Sequence, residues 1–168
     1  KLDYRLMSYH VAPAPYATFA SSSTQTVASA AAAQAITYNL DLGSKGIAKV
    51  SNSRIQLPQV GNYALSFSAI GRNSGSANAK WLNIFLKKNG NIVDNSSTIV
   101  NVSQNIVTTV VATFNVECTT SGDYYELFLA GEDNSTQIYA TAAQAAVVGV
   151  SPAMPACPSI VVAVWQID

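Results

Sequence analysis

Apolar and polar residues alternate with a period of two along most of this chain, the spacing of strands that bury one face. Arg54 to Leu57 is followed by a turn over Pro58 to Gly61 and then by Asn62 to Ala69. In that strand Tyr63, Leu65, Phe67 and Ala69 point one way, and the small residues Ala64, Ser66 and Ser68 point the other. Arg72 to Ala79, rich in Gly, Ser and Asn, predicts a loop. Trp81 to Lys87 predicts a strand with Leu82, Ile84 and Leu86 on one face. Asn89-Gly90 then predicts a tight hairpin, because both central residues of such a turn must accept positive φ. Ile92 to Val102 supplies one or two short strands. Val107 to Cys118 alternates again, with Val110, Ala112, Phe114, Val116 and Cys118 inward. Tyr124 to Ala130, Thr136 to Tyr139 and Ser159 to Ile167 complete the set, with turns at Thr119 to Asp123 and Gly131 to Ser135. Eight or more short strands so punctuated predict a β-sandwich or jelly roll. The chain has no internal repeat that would point to a propeller or solenoid.

Two stretches depart from this pattern. Val27 to Ile36 (VASAAAAQAI) has strong helix propensity. Its neighbours, the polar run Ser21 to Thr26 and the alternating Ile36 to Leu40, predict strand or extended loop instead. Ala140 to Cys157 shows no strand or helix period. Pro152, Pro155 and Pro158 recur at a spacing of three, which suits an extended polyproline-like path. A long apolar connection of this kind predicts contact with another surface.

Composition narrows the function classes. Of 168 residues 49% are hydrophobic and only 11% charged, and nine basic residues balance nine acidic ones. That excludes a disordered charged tail, and it leaves no basic stripe of the sort a nucleic-acid binder needs. No apolar run is long enough for a membrane span, so no membrane insertion is expected. So weakly charged a surface points toward assembly with other chains. The segment Lys1 to His10 is not a signal peptide, and position 1 is not Met, so the chain is expected to be processed, trimmed or excised from something longer. Cys118 and Cys157 match no zinc spacing. Cys118 continues an inward alternation, and a single bridge to Cys157 is open in an oxidising compartment.

Candidate chemistry is sparse. The single histidine, His10, lies in the amino-terminal segment with no carboxylate or Cys to orient it, and no nucleophile-elbow motif is present. Glu132 and Asp133, followed by Asn134, are weak calcium candidates. Three residues in a row do not supply the oxygens calcium needs, and the plainer expectation is a solvated, side-chain-capped turn. Glu117, Glu126 and Asp94 fall on different strands with no visible pairing. No catalytic centre, cofactor or tightly bound transition metal is expected. Tyr124, Glu126 and Phe128 share one strand face and Tyr125, Leu127 and Leu129 the other; sheet packing is favoured there over an exposed aromatic binding patch.

The ordered set of segments carries a resemblance. It runs from Tyr16-Ala17-Thr18-Phe19, with its Ser/Thr/Gln run to Thr26, through Ile36-Thr37-Tyr38-Asn39 and Ser53-Arg54-Ile55 to Leu57-Pro58-x-x-Gly61-x-Tyr63 with Phe67. Then follow Leu86-Lys87-Lys88-Asn89-Gly90, Gly122-Asp123-Tyr124-Tyr125-Glu126-Leu127 and Pro158-Ser159-Ile160-Val161-Val162. From about residue 16 to 167 the chain resembles the C1q/TNF-like jelly-roll domains, particularly those of bacteriophage virion proteins. The resemblance implies an all-β, ten-stranded C1q/TNF-like jelly-roll sandwich that is trimeric. It would occupy residues 16–168 behind an amino-terminal arm, residues 1–15, which carries Tyr4, Tyr9 and two prolines. It further implies a protein that acts by displaying surfaces and not as an enzyme. The expected role is a homotrimer on the virion surface that decorates or cements the capsid, with capsid or fibre proteins of the same virion as partners. The alternative is the receptor-binding tip of a trimeric tail fibre, whose partner would be a host surface glycan or protein. A secreted animal C1q-like protein is a third reading, against which the missing Gly-x-y stalk and disulfide pattern count.

The last strand locates the expected trimer contact. Ile160, Val162 and Val164 share one face; Val161, Ala163 and Trp165 share the other, and only one face can meet the chain's own core. Val161, Ala163 and Trp165, with the small face Ala64, Ser66 and Ser68 beside them, are the predicted interface.

Overall fold

A computed structural model describes residues 13–30, 32–75, 77–149 and 151–168. His10, Tyr4 and Tyr9, and with them most of the predicted arm, lie outside the described residues. Fourteen strands form among the described residues, against the ten expected. They are β1 (Tyr16–Ser21), β2 (Gln25–Thr26), β3 (Gln34–Ala35), β4 (Leu40–Lys45), β5 (Ala48–Val50), β6 (Arg54–Gln56) and β7 (Gly61–Asn73). The rest are β8 (Lys80–Lys88), β9 (Asn91–Ile92), β10 (Thr98–Val102), β11 (Val107–Cys118), β12 (Tyr124–Gly131), β13 (Thr136–Ile138) and β14 (Ile160–Gln166). The higher count comes from two- and three-residue strands, where the chain pairs briefly before it turns. No described residue is helical, so no helix is long and apolar enough to cross a membrane.

All strand pairs are antiparallel and form two sheets. In the first, β7 is the spine. Residues 61–72 of it pair with β11 on one edge; β14 and then β13 share the other edge, and β1 and β4 follow beyond β14. The second runs β10, β8, β12, β6, β5. The alternation of the sequence is obeyed residue by residue. Tyr63, Leu65, Phe67 and Ala69 of β7, and Ile160, Val162 and Val164 of β14, face Leu82, Ile84 and Leu86 of β8 and Leu127 and Leu129 of β12 across one core. Ala112 and Phe114 pack on that core from β11, and Val110, Val116 and Cys118 are buried in it. Asn89 (φ 50) and Gly90 (φ 86) both take the left-handed conformation that the β8–β9 hairpin demands.

No described residue of the alanine-rich segment is helical. Val27 and Ile36 are fully buried at its ends. The Val27 amide donates to the Thr136 carbonyl (2.9 Å) on one sheet, and the Ile36 amide donates to the Leu127 carbonyl (2.8 Å) on the other. Two tertiary anchors therefore hold the segment across the end of the sandwich, where a helix would turn the Ile36 amide back onto the carbonyl four residues earlier and break the second anchor.

One core residue is poorly matched to its surroundings. The Tyr38 hydroxyl is buried without a hydrogen-bond partner, and burial pushes its ionisation far above the ordinary tyrosine range. Tyr38→Phe removes an unsatisfied polar atom at constant shape. It is expected to raise stability by about 1 kcal/mol, read as an increase in denaturation midpoint at unchanged slope.

Candidate assembly face

The two faces of the first sheet differ in kind. The inner face is core. On the outer face, the register sets the predicted interface residues side by side: Ser68 opposite Val161, Ser66 opposite Ala163 and Ala64 opposite Trp165. All six lie on this one face. Strand β11 extends the rows from the other side, with Val111 opposite Ser68, Thr113 opposite Ser66 and Asn115 opposite Ala64. Serine and alanine along the spine, between larger side chains, leave a groove of about 450 Å³ lined by Ser66, Ser68, Val111, Thr113, Val161 and Ala163. Trp165 remains 42% exposed and Val111 61%. Charge is absent from the middle of the face; Arg72 stands at one end of the β7–β11 pair and Glu117 at the other. No charged side chain occurs between Asp133 and Asp168.

Two parts of this face were not anticipated. Strand β11 contributes Val107 and Val111, which lie in the alternate set to Val110, Ala112 and Phe114, so the same alternation that marked the inward residues also marked these. At the far edge β4 exposes Leu40 and Leu42. Gly43 pairs with Thr18 and Asp41 with Phe19, which leaves Leu42 as the extra residue of a β-bulge. No period-two pattern flags a bulged residue.

The connection from Ala140 to Cys157 is an arm, and its proline spacing has a structural meaning. Thr141 and Cys157, Gln144 and Met154, and Val147 and Ser151 each exchange two backbone hydrogen bonds of 2.9–3.0 Å, so the two limbs pair every third residue. Each of the bonded residues Ser151, Met154 and Cys157 precedes a proline, which holds it extended. The prolines themselves fall where no amide donor is used. The limbs reverse at Gly149 (φ 74), and Val148 at the tip is 99% exposed. At the root, the Ser159 amide donates to the Ser21 carbonyl (2.8 Å), and the Tyr139 amide donates to the Ile70 carbonyl (2.8 Å). Pro15 and Gln166 are bonded at the opposite end of the sheet.

Glu132 and Asp133 are engaged within the fold. Lys80 Nζ lies 2.8 Å from Glu132 Oε1 and 3.1 Å from Asp133 Oδ2. Asp133 also accepts hydrogen bonds from the Ser135 hydroxyl and amide, and with Lys80 these hold its carboxyl down at about 2. The weak calcium candidates thus cap a turn and face an ammonium group. Among the described residues no three His, Cys, Asp or Glu side chains converge on a common point. Calcium or EDTA is expected to shift the thermal midpoint by less than about 1 °C, because the Glu132 and Asp133 carboxylates are already engaged by Lys80 and Ser135.

Tyr125, Leu127 and Leu129 are buried in the core. On the outer side Tyr124 lies under the Arg54 guanidinium (4.5 Å to the ring centre), and Phe128 lies beside Phe85 (5.8 Å) and under Lys87 (4.1 Å). Glu126 meets Arg54 at 3.6 Å and accepts a bond from the Ser53 hydroxyl (2.7 Å). Those aromatics are packed rather than presented. Cys118 is buried near the Gly61 end of β7, Cys157 is exposed on the arm beyond its Ala69 end, and both are free thiols. About eight residues of strand, roughly 27 Å, separate these levels, too far for a bridge within the chain.

No protein-family model and no curated protein matches the sequence. Solved structures do match the fold. The globular domain of the zebrafish complement 1qA protein superposes with a TM-score of 0.57 at 15% identity, over 92% of this chain and 98% of that one. Murine APRIL, crystallised at pH 5.0, superposes with a TM-score of 0.56 at 7% identity, over 91% and 99% of the two chains. The chain is similar to both in architecture: two antiparallel sheets in a C1q/TNF-like jelly roll.

Proposed function

We propose that this chain is a non-enzymatic homotrimeric module that assembles through the outer face of its first sheet and serves as a surface component of a bacteriophage virion. The uncharged, small-residue face carries this reading. Val111 and Val161 flank a groove that solvent does not suit, Trp165 stands exposed on the same face opposite Ala64, and a second copy of the chain would cover both. The resemblance to C1q/TNF-like domains supports threefold closure in particular. Light scattering on the purified protein tests assembly: three chains of 17.7 kDa are expected, and a monomer at micromolar concentration overturns the proposal.

Decoration or cementing of the capsid is the first placement, supported by the sequence resemblance to phage virion proteins. An adhesive fibre tip is the second, and one observation favours it. Pro15 and Gln166 lie at one end of the sheet and the apolar arm leaves from the other, so a module tethered at the first end would present its arm outward. Mass spectrometry of separated heads and tails decides between them, and absence from both removes the virion assignment.

A further inference from the structure

One row of the outer face crosses five strands at a single level. Ala20 pairs with Leu40, and Ser21 pairs with Ile160, which sets Ala20 beside Val161; Val161 pairs with Ser68, and Ser68 with Val111. The row therefore reads Leu40, Ala20, Val161, Ser68, Val111, with large aliphatic groups at both ends and small ones between. Its two ends differ in shape. At the β11 edge Val107 and Val111 stand out as an exposed ridge. At the β4 edge Leu40 and Leu42 form one wall of a groove of about 480 Å³, and the root of the arm, at Ala142, Ala156 and Pro158, forms the other.

A ridge at one edge and a groove at the opposite edge cannot satisfy each other within a chain. Four strand spacings of about 4.8 Å separate them, roughly 19 Å. They can do so between chains. Rotation about an axis parallel to the strands, without translation, carries one edge of a sheet to the other edge of its neighbour at the same level. The row meets that condition, and a contact of this head-to-tail type closes into a ring. Chemistry agrees with shape: both features are uncharged and mainly apolar, Thr109 on the ridge and Ser22, Thr24 and Thr141 in the groove being the polar members, and the arm that walls the groove lies within the long uncharged stretch before Asp168. Each strand residue covers about 3.3 by 4.8 Å, so β1, β4, β7, β11 and β14 together present roughly 700 Å² of sheet in projection, to which the arm adds, on the scale of the ~800 Å² per partner of a stable interface.

We infer that the groove between the β4 bulge and the root of the arm receives the Val107–Val111 ridge of a second copy of this chain, so that the arm clasps the neighbouring subunit. This rests on the trimeric assembly proposed above and names the contact that closes it.

The test is Leu42→Cys with Val111→Cys in a Cys157→Ser background, oxidised gently and run on a non-reducing gel. Both introduced positions are exposed, and Leu42 is 58% accessible, so the fold should tolerate them. A covalent trimer that neither single-cysteine variant gives is expected, since each chain carries one ridge thiol and one groove thiol. A protein that light scattering shows to be trimeric but that forms no such species overturns the ridge-and-groove contact and leaves the trimer standing. A monomer overturns both. Replacing residues 142–156 by Gly-Ser-Gly removes the arm wall and should raise the concentration at which the trimer dissociates at least tenfold; an unchanged value overturns the clasp.

Discussion

Trp165→Asp is expected to abolish the proposed trimer and leave monomer or aggregate. Trp165 projects from β14 on the outer face, beside Ala64 and away from the core that Val162 and Val164 enter. Burial of its ring with the neighbouring aliphatics contributes roughly 4 to 6 kcal/mol per chain at about 25 cal/mol per Å², before the entropy of association is subtracted. Aspartate forfeits that term and places an unpaired charge in a contact with no cation near its centre, a further cost of about 3 to 5 kcal/mol per site. In the proposed trimer, threefold symmetry repeats both losses. The fold itself should survive, since the substituted side chain touches no core residue on the inner face. Light scattering and circular dichroism separate the two effects: the variant should no longer scatter with the mass of three chains and should keep its strand signal. A variant that remains trimeric with an unchanged thermal midpoint removes Trp165, and with it this face, from the interface.

The sequence made legible whatever follows from period two. Tyr63, Leu65 and Phe67 inward and Ala64, Ser66 and Ser68 outward are consequences of strand geometry alone, and the two apolar faces of Ile160 to Trp165 already demanded a second cover. The Asn89-Gly90 turn was equally plain, because few residue pairs accept two positive φ values. Three things were hidden, each because tertiary context sets it. Leu42 enters the outer face through a bulge, which no alternation encodes. The limbs of the arm pair every third residue; the prolines announced an extended path, but not that Thr141 would find Cys157 sixteen residues later. The roles of Glu132 and Asp133 depend on Lys80, which comes from another strand about fifty residues away and turns a weak calcium candidate into an ion-paired turn. Strand number was overstated in regularity for a related reason. Short pairings such as β2 with β13 and β3 with β12 are decided by where the chain crosses between sheets, not by local pattern.

Asp123→Asn should cost about 3 kcal/mol at neutral pH, although the two side chains have the same shape. Asp123 is nearly buried and ties two turns together. One carboxylate oxygen accepts from Asn89 Nδ2 (2.8 Å), next to the Asn89-Gly90 hairpin. The other accepts from the Thr119 amide (2.9 Å), the Thr119 hydroxyl (3.0 Å) and the Thr120 amide (3.1 Å), and Lys88 Nζ lies 3.1 Å away. Every partner is a donor. An amide at this position must turn its own NH₂ toward donors on one side or the other, and it leaves Lys88 without its counter-charge. For a domain of this length the loss corresponds to a fall of roughly 6 to 12 °C in the thermal midpoint. The pH dependence identifies the cause. The Asn89 bond first, then Lys88 and the two threonine amides, hold the carboxyl well below its ordinary 3.8, which outweighs the opposing effect of burial. A depressed value in the folded state means that the stabilisation is complete above the ordinary value and drains away as the pH falls below it. The gap in stability between wild type and Asp123→Asn should therefore be constant from pH 7 to about pH 5 and narrow steadily below pH 4. Urea titrations at pH 7, 5, 4 and 3 measure it. A gap that does not narrow in acid would mean that the variant acts through packing and not through the lost charge.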